Sequence, residues 1–383
     1  MAVGAATGIP ATRYANRLGA AREALRREGA AALLVGVGAE LQWLTGYQGM
    51  PTERLTMLVL PMEGEVHLVA PRLEAAPAGA APAVANGAVE LVTWTETEDP
   101  AERVASLLPD RRARLLVSDR LWAMFLLRLQ AACPAATTGL ASEVLRTLRM
   151  VKDADEVALL RRAAQAADRA LLAIAHGRLV GRSEADVARE VRQRLVDEGH
   201  EQAAFAIVGS GPYSASPHHE PGERVIQAGE PVVLDIGGTV GGYYSDITRT
   251  VWVAGADGAG PGDDFRHLYA VVHEAQQRGS EAVRPGVACS AIDAAARGVI
   301  EAAGMGAHFI HRTGHGIGLE GHEDPYLVAG NDEPLPEGSA FSVEPGIYLE
   351  GRHGARIEDI VVCGPDGPDV LNEAPRELLV VGG

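Results

Sequence analysis

The sequence predicts an α/β domain over residues 1–149, followed by an α+β domain over residues 150–383 that contains an internal pseudo-twofold repeat. Three observations lead to this fold class. A chain of 383 residues exceeds the usual size of one domain. Its first part alternates helical and strand patterns, which is typical of α/β architecture. Its second part carries the same order of helix, strand and acidic residue twice.

The composition excludes several classes of function. Acidic residues outnumber basic residues by 51 to 34, so the net charge is −17, and aromatic residues make up 4% of the chain. A phosphate backbone or an anionic membrane would be repelled, and few rings are present to stack on bases. We therefore expect neither a nucleic-acid nor a membrane partner.

The cysteines and the apolar segments indicate a cytoplasmic protein. Three widely separated cysteines form neither a disulfide framework nor a paired zinc motif. The apolar run of residues 29–39 is too short to span a bilayer and lacks the position of a signal peptide. We interpret it as a buried strand.

The first domain opens with a helix and continues with strands. Apolar residues recur at helical spacing over residues 13–28, and the run at residues 32–35 is typical of a strand. Four later runs have the same apolar, partly β-branched character; they are residues 55–60, 66–69, 89–92 and 115–117.

The second domain begins with a capped helix and contains two further helices in equivalent positions. Asp153, followed three residues later by Glu156, is typical of a helix N-terminus. Ser183 is predicted to cap a helix that ends at Gly199, and Ser290 to cap one that ends at Gly304.

The repeat extends to the strands that follow these helices. In each copy an acid stands six residues after a glycine, at the end of an apolar strand: Asp235 follows Gly229, and Glu344 follows Gly338. A second acid comes 11 residues after Asp235 and 14 residues after Glu344; these acids are Asp246 and Glu358. Two related halves are therefore predicted to supply two carboxylates each.

Asp235 is predicted to be buried, and an unpaired buried carboxylate would cost several kcal/mol. The glycine-rich residues 237–242 are typical of a hairpin turn that would bring Asp246 beside Asp235. Arg249 or a turn amide would be enough to satisfy one such acid. The pair together with its repeat-related copy favours a metal site.

Residues 355–362 are typical of one strand, in which Arg356 and Glu358 share a face and Asp359 lies on the other. Glu358 is therefore the expected ligand, and Asp359 is expected to be a surface or structural acid. Arg356 would neutralise Glu358 or orient the carboxylates and the substrate.

The segment of residues 311–325 is rich in histidine and glycine and includes His315 and His322. One imidazole with four carboxylates suits a pair of Mn²⁺, Co²⁺, Fe²⁺ or Zn²⁺ ions better than a structural zinc ion. Two ions about 3.5–4 Å apart would offset the carboxylate charges, lower the pKa of a bridging water molecule and polarise a carbonyl.

These motifs resemble those of the pita-bread metallopeptidases, the family of methionine aminopeptidase, aminopeptidase P and prolidase. The resemblance covers the chain from about residue 150 onwards, through the motifs of residues 245–250, 344–346 and 356–359. The first domain resembles more loosely the creatinase-like N-terminal domain of the proline-specific branch, through residues 44–47 and 53–54. The expected fold is thus a creatinase-like domain followed by a pita-bread domain.

The resemblance implies a role for each site residue. The metal ligands would be Asp235 on one ion, His315 and Glu344 on the other, and Asp246 and Glu358 on both. Glu344 would also carry a proton between the attacking water and the leaving nitrogen. The other catalytic residues implied are His218, His322 and Arg356.

Other histidines are expected to be structural, and one residue departs from the family pattern. Only one imidazole of the adjacent pair His218 and His219 can face the site easily, and His218 is the one that matches the family motif. Gly321 stands where the family has a branched aliphatic residue. The remaining histidines assigned to structure are His267, His273, His308 and His311.

The implied function is that of an Xaa-Pro dipeptidase in which a metal-bridging hydroxide attacks the imide bond. Mn²⁺ is the first choice of metal, and Co²⁺, Zn²⁺ and Fe²⁺ are alternatives. The resemblance also implies a homodimer acting on Xaa-Pro dipeptides or short peptides. The other hypotheses are an aminopeptidase P, a non-peptide amide hydrolase or lyase on the same fold, and a binding protein without catalysis.

Overall fold

The computed structural model describes residues 8–255 and 258–382 of the chain. The chain divides into two compact units, with the division between Arg149 and Met150. No helix within the described ranges has the length and apolar character needed to cross a bilayer. Cys133, Cys289 and Cys363 are all free and buried.

The first unit is built on a six-stranded mixed sheet. In chain order the elements are α1 (Ala11–Glu28), β1 (Ala32–Gly36), α2 (Ala39–Thr45), β2 (Met57–Pro61), β3 (His67–Pro71), α3 (Ala75–Gly79), α4 (Pro82–Ala85), β4 (Glu90–Trp94), α5 (Pro100–Ser106), β5 (Arg114–Val117), α6 (Ala123–Ala132), β6 (Thr137–Leu140) and α7 (Ser142–Met150). The strand order in the sheet is β4-β3-β2-β1-β5-β6. One hydrophobic core packs this sheet against α5 and α6, two helices that were not predicted individually from the sequence.

The second unit contains two five-stranded sheets and four long helices. Its elements are α8 (Ala154–Ala175), α9 (Glu184–Asp197), β7 (Gln202–Ser210), β8 (Glu230–Val240), β9 (Tyr243–Tyr244), β10 (Ile247–Val253), α10 (Asp263–Glu281), α11 (Cys289–Ala302), β11 (Gly314–Gly316), β12 (Glu323–Leu327), β13 (Ala340–Val343), β14 (Gly346–Leu349), β15 (His353–Arg356), β16 (Asp359–Gly364), β17 (Gly367–Val370) and β18 (Val380–Val381). The sheet orders are β18-β10-β8-β7, with β9 also paired to β8, and β12-β11-β13-β16-β17; β14 and β15 form a separate hairpin. All neighbours are antiparallel except β10 and β18, which pair in parallel.

The second unit has an internal pseudo-twofold repeat. The first half runs from α8 to β10 and the second from α10 to β16; each has two helices followed by three strands that are neighbours in one sheet, β7-β8-β10 and β11-β13-β16. The central strands β8 and β13 each have antiparallel neighbours on both sides. Gly229 and Gly338 precede them with φ values of 82° and 83°, a left-handed conformation that favours glycine. The two halves therefore enter their central strands through the same turn.

Two of the three predicted helix caps are present. The Asp153 carboxylate accepts hydrogen bonds from the amides of Asp155 and Glu156, and the Glu156 side chain accepts one from the amide of Asp153, which completes a capping box. Ser183 caps α9 through the amide of Asp186. The prediction for Ser290 was wrong: α11 begins at Cys289, and the Ser290 hydroxyl donates to Asp332 instead.

Two strand boundaries also differ from the prediction. Most of the predicted turn at residues 237–242 is strand, because β8 continues to Val240 and only Gly241 and Gly242, with φ values of 60° and 80°, form the turn. The predicted single strand over residues 355–362 is broken at Ile357 and Glu358, because β15 pairs with β14 while β16 pairs with β13. Glu358 therefore lies where the chain passes from one sheet to another.

Candidate metal centre

Four acidic side chains occupy equivalent places in the two halves of the second unit. Asp235 lies within β8, and Glu344 directly follows the last residue of β13. Asp246 and Glu358 each stand one residue before a strand, β10 and β16 respectively. Asp235, Asp246 and Glu358 are buried, and Glu344 is partly buried. The repeat thus supplies two carboxylates from each half, but the predicted strand-end position is wrong for Asp235, because β8 continues to Val240.

Backbone pairing between the two halves brings these acids together. Thr248 of β10 lies opposite Asp235 of β8. The carbonyl oxygen of Thr248 accepts a hydrogen bond from the amide of Glu358 at 3.1 Å. The amide of Glu344 donates to the carbonyl oxygen of Thr313 at 2.8 Å, which sets Glu344 beside the strand that carries the histidine. The carboxylates therefore converge on one point between the two sheets.

His315 of β11 is the imidazole at this point. Its Nε2 lies 3.2 Å from Glu344 Oε1 and 3.8 Å from Asp246 Oδ2. Its Nδ1 lies 3.1 Å from the carbonyl oxygen of Gly316, which favours a proton on Nδ1. In the neutral ring that tautomer leaves the Nε2 lone pair directed at the acids, as a metal-binding histidine requires.

The donor set fits divalent cations. Ligand atoms of Asp246, His315 and Glu358 all lie within 4.8 Å of one another. The buried Oδ1 of Asp235 has no hydrogen-bond partner among the described residues, although a buried charged oxygen normally has one. Carboxylates with one imidazole suit Mn²⁺, Co²⁺, Fe²⁺ or Zn²⁺. A bound cation would satisfy this oxygen and offset the mutual repulsion of the acids.

The electrostatics of the metal-free site reflect that repulsion. Burial, followed by the charge of Asp235, raises the pKa of Asp246 well above its ordinary value. Burial and the charges of Asp246, Glu344 and Asp235 do the same to the pKa of Glu358. Burial also raises the pKa of Asp235, against the opposing charge of Arg356.

The remaining pair behaves as a salt bridge. Burial alone would raise the pKa of Glu344, but the hydrogen bond and charge of His315 outweigh it and lower the pKa to about 2. Burial opposes the charged form of His315, yet Glu344 and Asp246 raise its pKa to about 9. The charge on His315 therefore offsets part of the negative charge of the acids.

The free energy of unfolding of the metal-free protein is expected to fall as pH rises from about 6.5 to about 9. Over this range the raised pKa of His315 means that the folded state keeps a proton that the unfolded state has lost. The raised pKa values of Asp246 and Glu358 act in the same direction above the ordinary carboxyl range. Glu344, with a pKa of about 2, and His322, with a pKa of about 4, act in the opposite direction, but only below about pH 4.5 and 6.5 respectively.

Urea unfolding with excess chelator at pH 7 and pH 9 tests this dependence. A higher free energy of unfolding at pH 9 than at pH 7 would contradict it. The same measurement with saturating Mn²⁺ is the control, because metal binding requires deprotonated ligands and strengthens as pH rises.

Arg356 contacts a different acid from the one predicted. Its guanidinium donates to Asp235 Oδ2, whereas the sequence suggested neutralisation of Glu358. It also donates to Tyr348 Oη at 2.9 Å and Thr248 Oγ1 at 3.1 Å. Arg356 is buried, and these three contacts fix the orientation of the Asp235 carboxylate.

Two site residues were missed at the level of sequence. Thr248 donates its hydroxyl hydrogen to Glu358 Oε2 at 2.6 Å and so orients that carboxylate. Tyr348 lies between Arg356 and His311, with its hydroxyl 2.9 Å from His311 Nε2. Thr248 carried a signal, because it alternates with Asp246 along one face of the predicted strand. Nothing in the sequence pattern indicated Tyr348.

Asp359 has a structural role, which excludes the surface alternative. Its buried carboxylate accepts hydrogen bonds from Arg249 at 2.7 Å, Gln276 at 2.9 Å and Arg376. The alternative in which Arg249 neutralises Asp235 or Asp246 is also wrong, since the guanidinium of Arg249 binds Asp359 and backbone carbonyl oxygens.

Three further histidines named in the sequence analysis, His322, His218 and His219, differ in their surroundings. The ring of His322 stacks on His315 with centroids 3.7 Å apart. Burial and the charge of His315 lower the pKa of His322 to about 4, which keeps it neutral. His218 is exposed, and its charge contributes to the lowered pKa of both His311 and His322. His219 points elsewhere, to Glu184.

Gly321, the departure from the family pattern, lies against an aromatic ring. A Cβ at this position would meet only the Tyr244 ring, at 3.5 Å, and φ is not in the left-handed region. A side chain would therefore fit there. The glycine leaves space beside Tyr244, directly before His322.

Comparisons with known proteins agree with this architecture. Residues 158–365 match the model of metallopeptidase family M24, and residues 17–151 match that of the creatinase/prolidase N-terminal domain. The chain is 44% identical to a probable dipeptidase PepE of Mycobacterium bovis over 369 residues, 96% of each chain.

Two solved structures are similar over nearly the whole chain. The dipeptidase PepE from Mycobacterium ulcerans has a TM-score of 0.92 and 44% identity, with 98% of this chain and 100% of that one covered. A prolidase from Thermococcus sibiricus has a TM-score of 0.88 and 34% identity, with 97% and 99% covered. The fold is thus a creatinase-like N-terminal domain followed by a pita-bread catalytic domain.

Proposed function

The chain belongs to metallopeptidase family M24, and from this premise we propose that it is an Xaa-Pro dipeptidase that uses two divalent metal ions. The observation that carries the proposal is the cluster of four carboxylates around His315, in which Asp235 Oδ1 is buried without a partner among the described residues. The names of the relatives support the substrate class, because they include a dipeptidase and a prolidase.

The residues of this chain suit two adjacent ions. We assign Asp235 to one ion, His315 and Glu344 to the other, and Asp246 and Glu358 to both. Mn²⁺ is the preferred metal because four of the five ligands are hard oxygen donors. When bound, the metal ions would lower the pKa of a water molecule and polarise the scissile carbonyl.

The other side chains would handle protons and the substrate. Glu344 would accept the proton of the attacking water and pass it to the leaving nitrogen. His322 and His218 would donate hydrogen bonds to the carbonyl oxygen as negative charge develops on it. Arg356 would hold Asp235 in place, as its contacts in the metal-free site support. An imide bond needs this machinery because its nitrogen has no hydrogen and must be protonated to leave.

The test compares peptides of different length. Chelator-stripped protein is reloaded with Mn²⁺, Co²⁺ or Zn²⁺ and mixed with an Xaa-Pro dipeptide or an Xaa-Pro-Yaa tripeptide, and release of the first residue is measured. Metal-dependent cleavage of the dipeptide, with little cleavage of the tripeptide, is expected. Efficient tripeptide cleavage would instead identify an aminopeptidase P.

Two further outcomes would contradict the proposal. Two bound metal ions without cleavage of either peptide would favour a non-peptide amide hydrolase or lyase. Failure to bind metal would favour a binding protein without catalysis. We also propose that the protein is a cytoplasmic homodimer. Size-exclusion chromatography with light scattering tests the dimer. The three free cysteines support a reducing compartment.

A further inference from the structure

His218 is carried by a loop, residues 211–222, whose position must be fixed if the imidazole is to act on substrate. The loop starts with a short 3₁₀ helix, Gly211–Ala215, and continues into a turn around His218, in which the amide of His219 donates to the carbonyl oxygen of Ser216 at 3.3 Å. The His218 ring is exposed. Its own side chain therefore does little to hold it, and the restraint has to come from its neighbours.

The neighbour that provides it is His219. Its Nε2 lies 2.7 Å from Glu184 Oε2, and its ring stacks on Tyr213 with centroids 4.6 Å apart. Tyr213 belongs to the 3₁₀ helix at the start of the loop. His219, the residue next to His218, therefore contacts both the start of the loop, through Tyr213, and the separate helix α9, through Glu184.

Glu184 is a firm anchor for this contact. It is the first residue of α9, and its side chain has no exposed surface. Its Oε1 accepts hydrogen bonds from Ser210 N at 2.8 Å and Ser210 Oγ at 2.6 Å, immediately before the loop. The amide of Ala185 donates to the carbonyl oxygen of Gly222 at 3.0 Å, at the end of the loop. Glu184 and its neighbour therefore hold both ends of the loop, and His219 holds its centre.

The fully buried carboxylate of Glu184 needs donors on its second oxygen, and the loop supplies two of them. His219 Nε2, one residue from His218, lies 2.7 Å from Oε2, and the amide of Gly222 donates to the same oxygen at 3.5 Å. We propose that Glu184 and His219 are positioning residues that fix His218 at the substrate site, an inference that rests on the proposed function.

The decisive variants are His219→Phe and His219→Gln. Phenylalanine keeps the stacking on Tyr213 but removes the hydrogen bond to Glu184, whereas glutamine places an amide donor near the position of Nε2. His219→Phe is expected to lower kcat for the Xaa-Pro dipeptide about 100-fold with little change in KM, since a 1 Å displacement of a positioned group costs about that much. His219→Gln is expected to recover most of kcat.

A double-mutant cycle separates positioning from general destabilisation. If His219 acts through His218, then adding His219→Phe to His218→Ala lowers kcat no further. A further loss of the same size in that background would overturn the proposal, as would wild-type kcat in His219→Phe. Glu184→Gln should follow the same rule. His308→Phe, at an exposed histidine, is the matched control and is expected to leave kcat unchanged.

A second readout does not depend on activity. Hydrogen exchange of the peptide that spans residues 211–222 should be faster in His219→Phe than in the wild type or His219→Gln. Unchanged exchange in His219→Phe would contradict the anchor itself. If the wild type cleaves no Xaa-Pro peptide, the proposed function fails, whereas the exchange measurement still decides whether Glu184 and His219 fix the loop.

Discussion

Asp246→Asn is expected to lower kcat/KM for an Xaa-Pro dipeptide by about a thousandfold or more. Metal ions supply several kcal/mol of transition-state stabilisation, and each ~1.4 kcal/mol corresponds to a factor of ten. The asparagine side chain would keep the shape of the aspartate but offer a neutral oxygen to cations that need charge compensation. The carboxylate of Asp246 lies 3.8 Å from His315 Nε2, at the centre of the cluster, so its neighbours cannot replace it.

The same substitution is expected to have the opposite effect on the stability of the metal-free protein. Burial and the charge of Asp235 raise the pKa of Asp246, which means that the ionised carboxylate is unfavourable in the folded state. Removal of its charge should therefore raise the free energy of unfolding at pH 8 in chelator. Loss of activity with a gain in metal-free stability would distinguish a ligand from a structural acid.

Steady-state kinetics measure kcat/KM, calorimetric titration with Mn²⁺ measures metal affinity, and urea unfolding in chelator measures the free energy of unfolding. Asp366→Asn is the matched control, because Asp366 is exposed on the turn between β16 and β17. Full activity in Asp246→Asn would refute the assignment of Asp246 as a ligand. A lower metal-free stability at pH 8 would refute the electrostatic account.

Arg249→Met is expected to destabilise the protein by about 3–5 kcal/mol, the usual cost of removing one partner from a buried ion pair. Arg249 is fully buried, and its guanidinium donates to Asp359 Oδ1 at 2.7 Å and to the carbonyl oxygen of Glu358 at 2.6 Å. Three more carbonyl oxygens accept from it; they belong to Thr248, Ala374 and Pro375. Methionine fills similar volume without replacing any of these bonds.

Equilibrium unfolding in urea, with chelator present in all samples, measures the loss. Arg169→Met serves as the control, since the ion pair of Arg169 with Glu198 is exposed and is expected to contribute about 0–1 kcal/mol. Arg249→Lys keeps the charge but loses the planar fork, so an intermediate value is expected. A change below about 1 kcal/mol in Arg249→Met would show that the buried pair is not a major source of stability.

The fold class was predictable because the two halves repeat local patterns. The left-handed glycines Gly229 and Gly338, the caps Asp153 and Ser183, and the apolar runs of β8 and β13 are all short-range signals. The order of the four acids in the chain followed from the same repeat, although Asp235 lies within β8 and not at its end. These features depend on residues close together in the chain.

The features that were not predictable depend on contacts between distant residues. Asp235 and Arg356 pair across 121 residues, and Thr248 and Glu358 across 110. The break at Ile357 and Glu358 arises because β15 and β16 join different partners, which residue alternation within one strand cannot reveal. Asp359 looked equally suited to the surface until Arg249, Gln276 and Arg376 were seen to surround it.

These distant pairs also bear on how the catalytic domain folds. Asp235 and Arg249 of the first half pair with Arg356 and Asp359 of the second. Asp359 also pairs with Arg376, but the first half alone would bury Asp235 and Arg249 without these partners, and the second half alone would bury Arg356 without Asp235, at a cost of several kcal/mol. A stable half-folded intermediate is therefore disfavoured. Although the two halves share one construction, the domain should fold as a single cooperative unit, and only after the whole second half has left the ribosome.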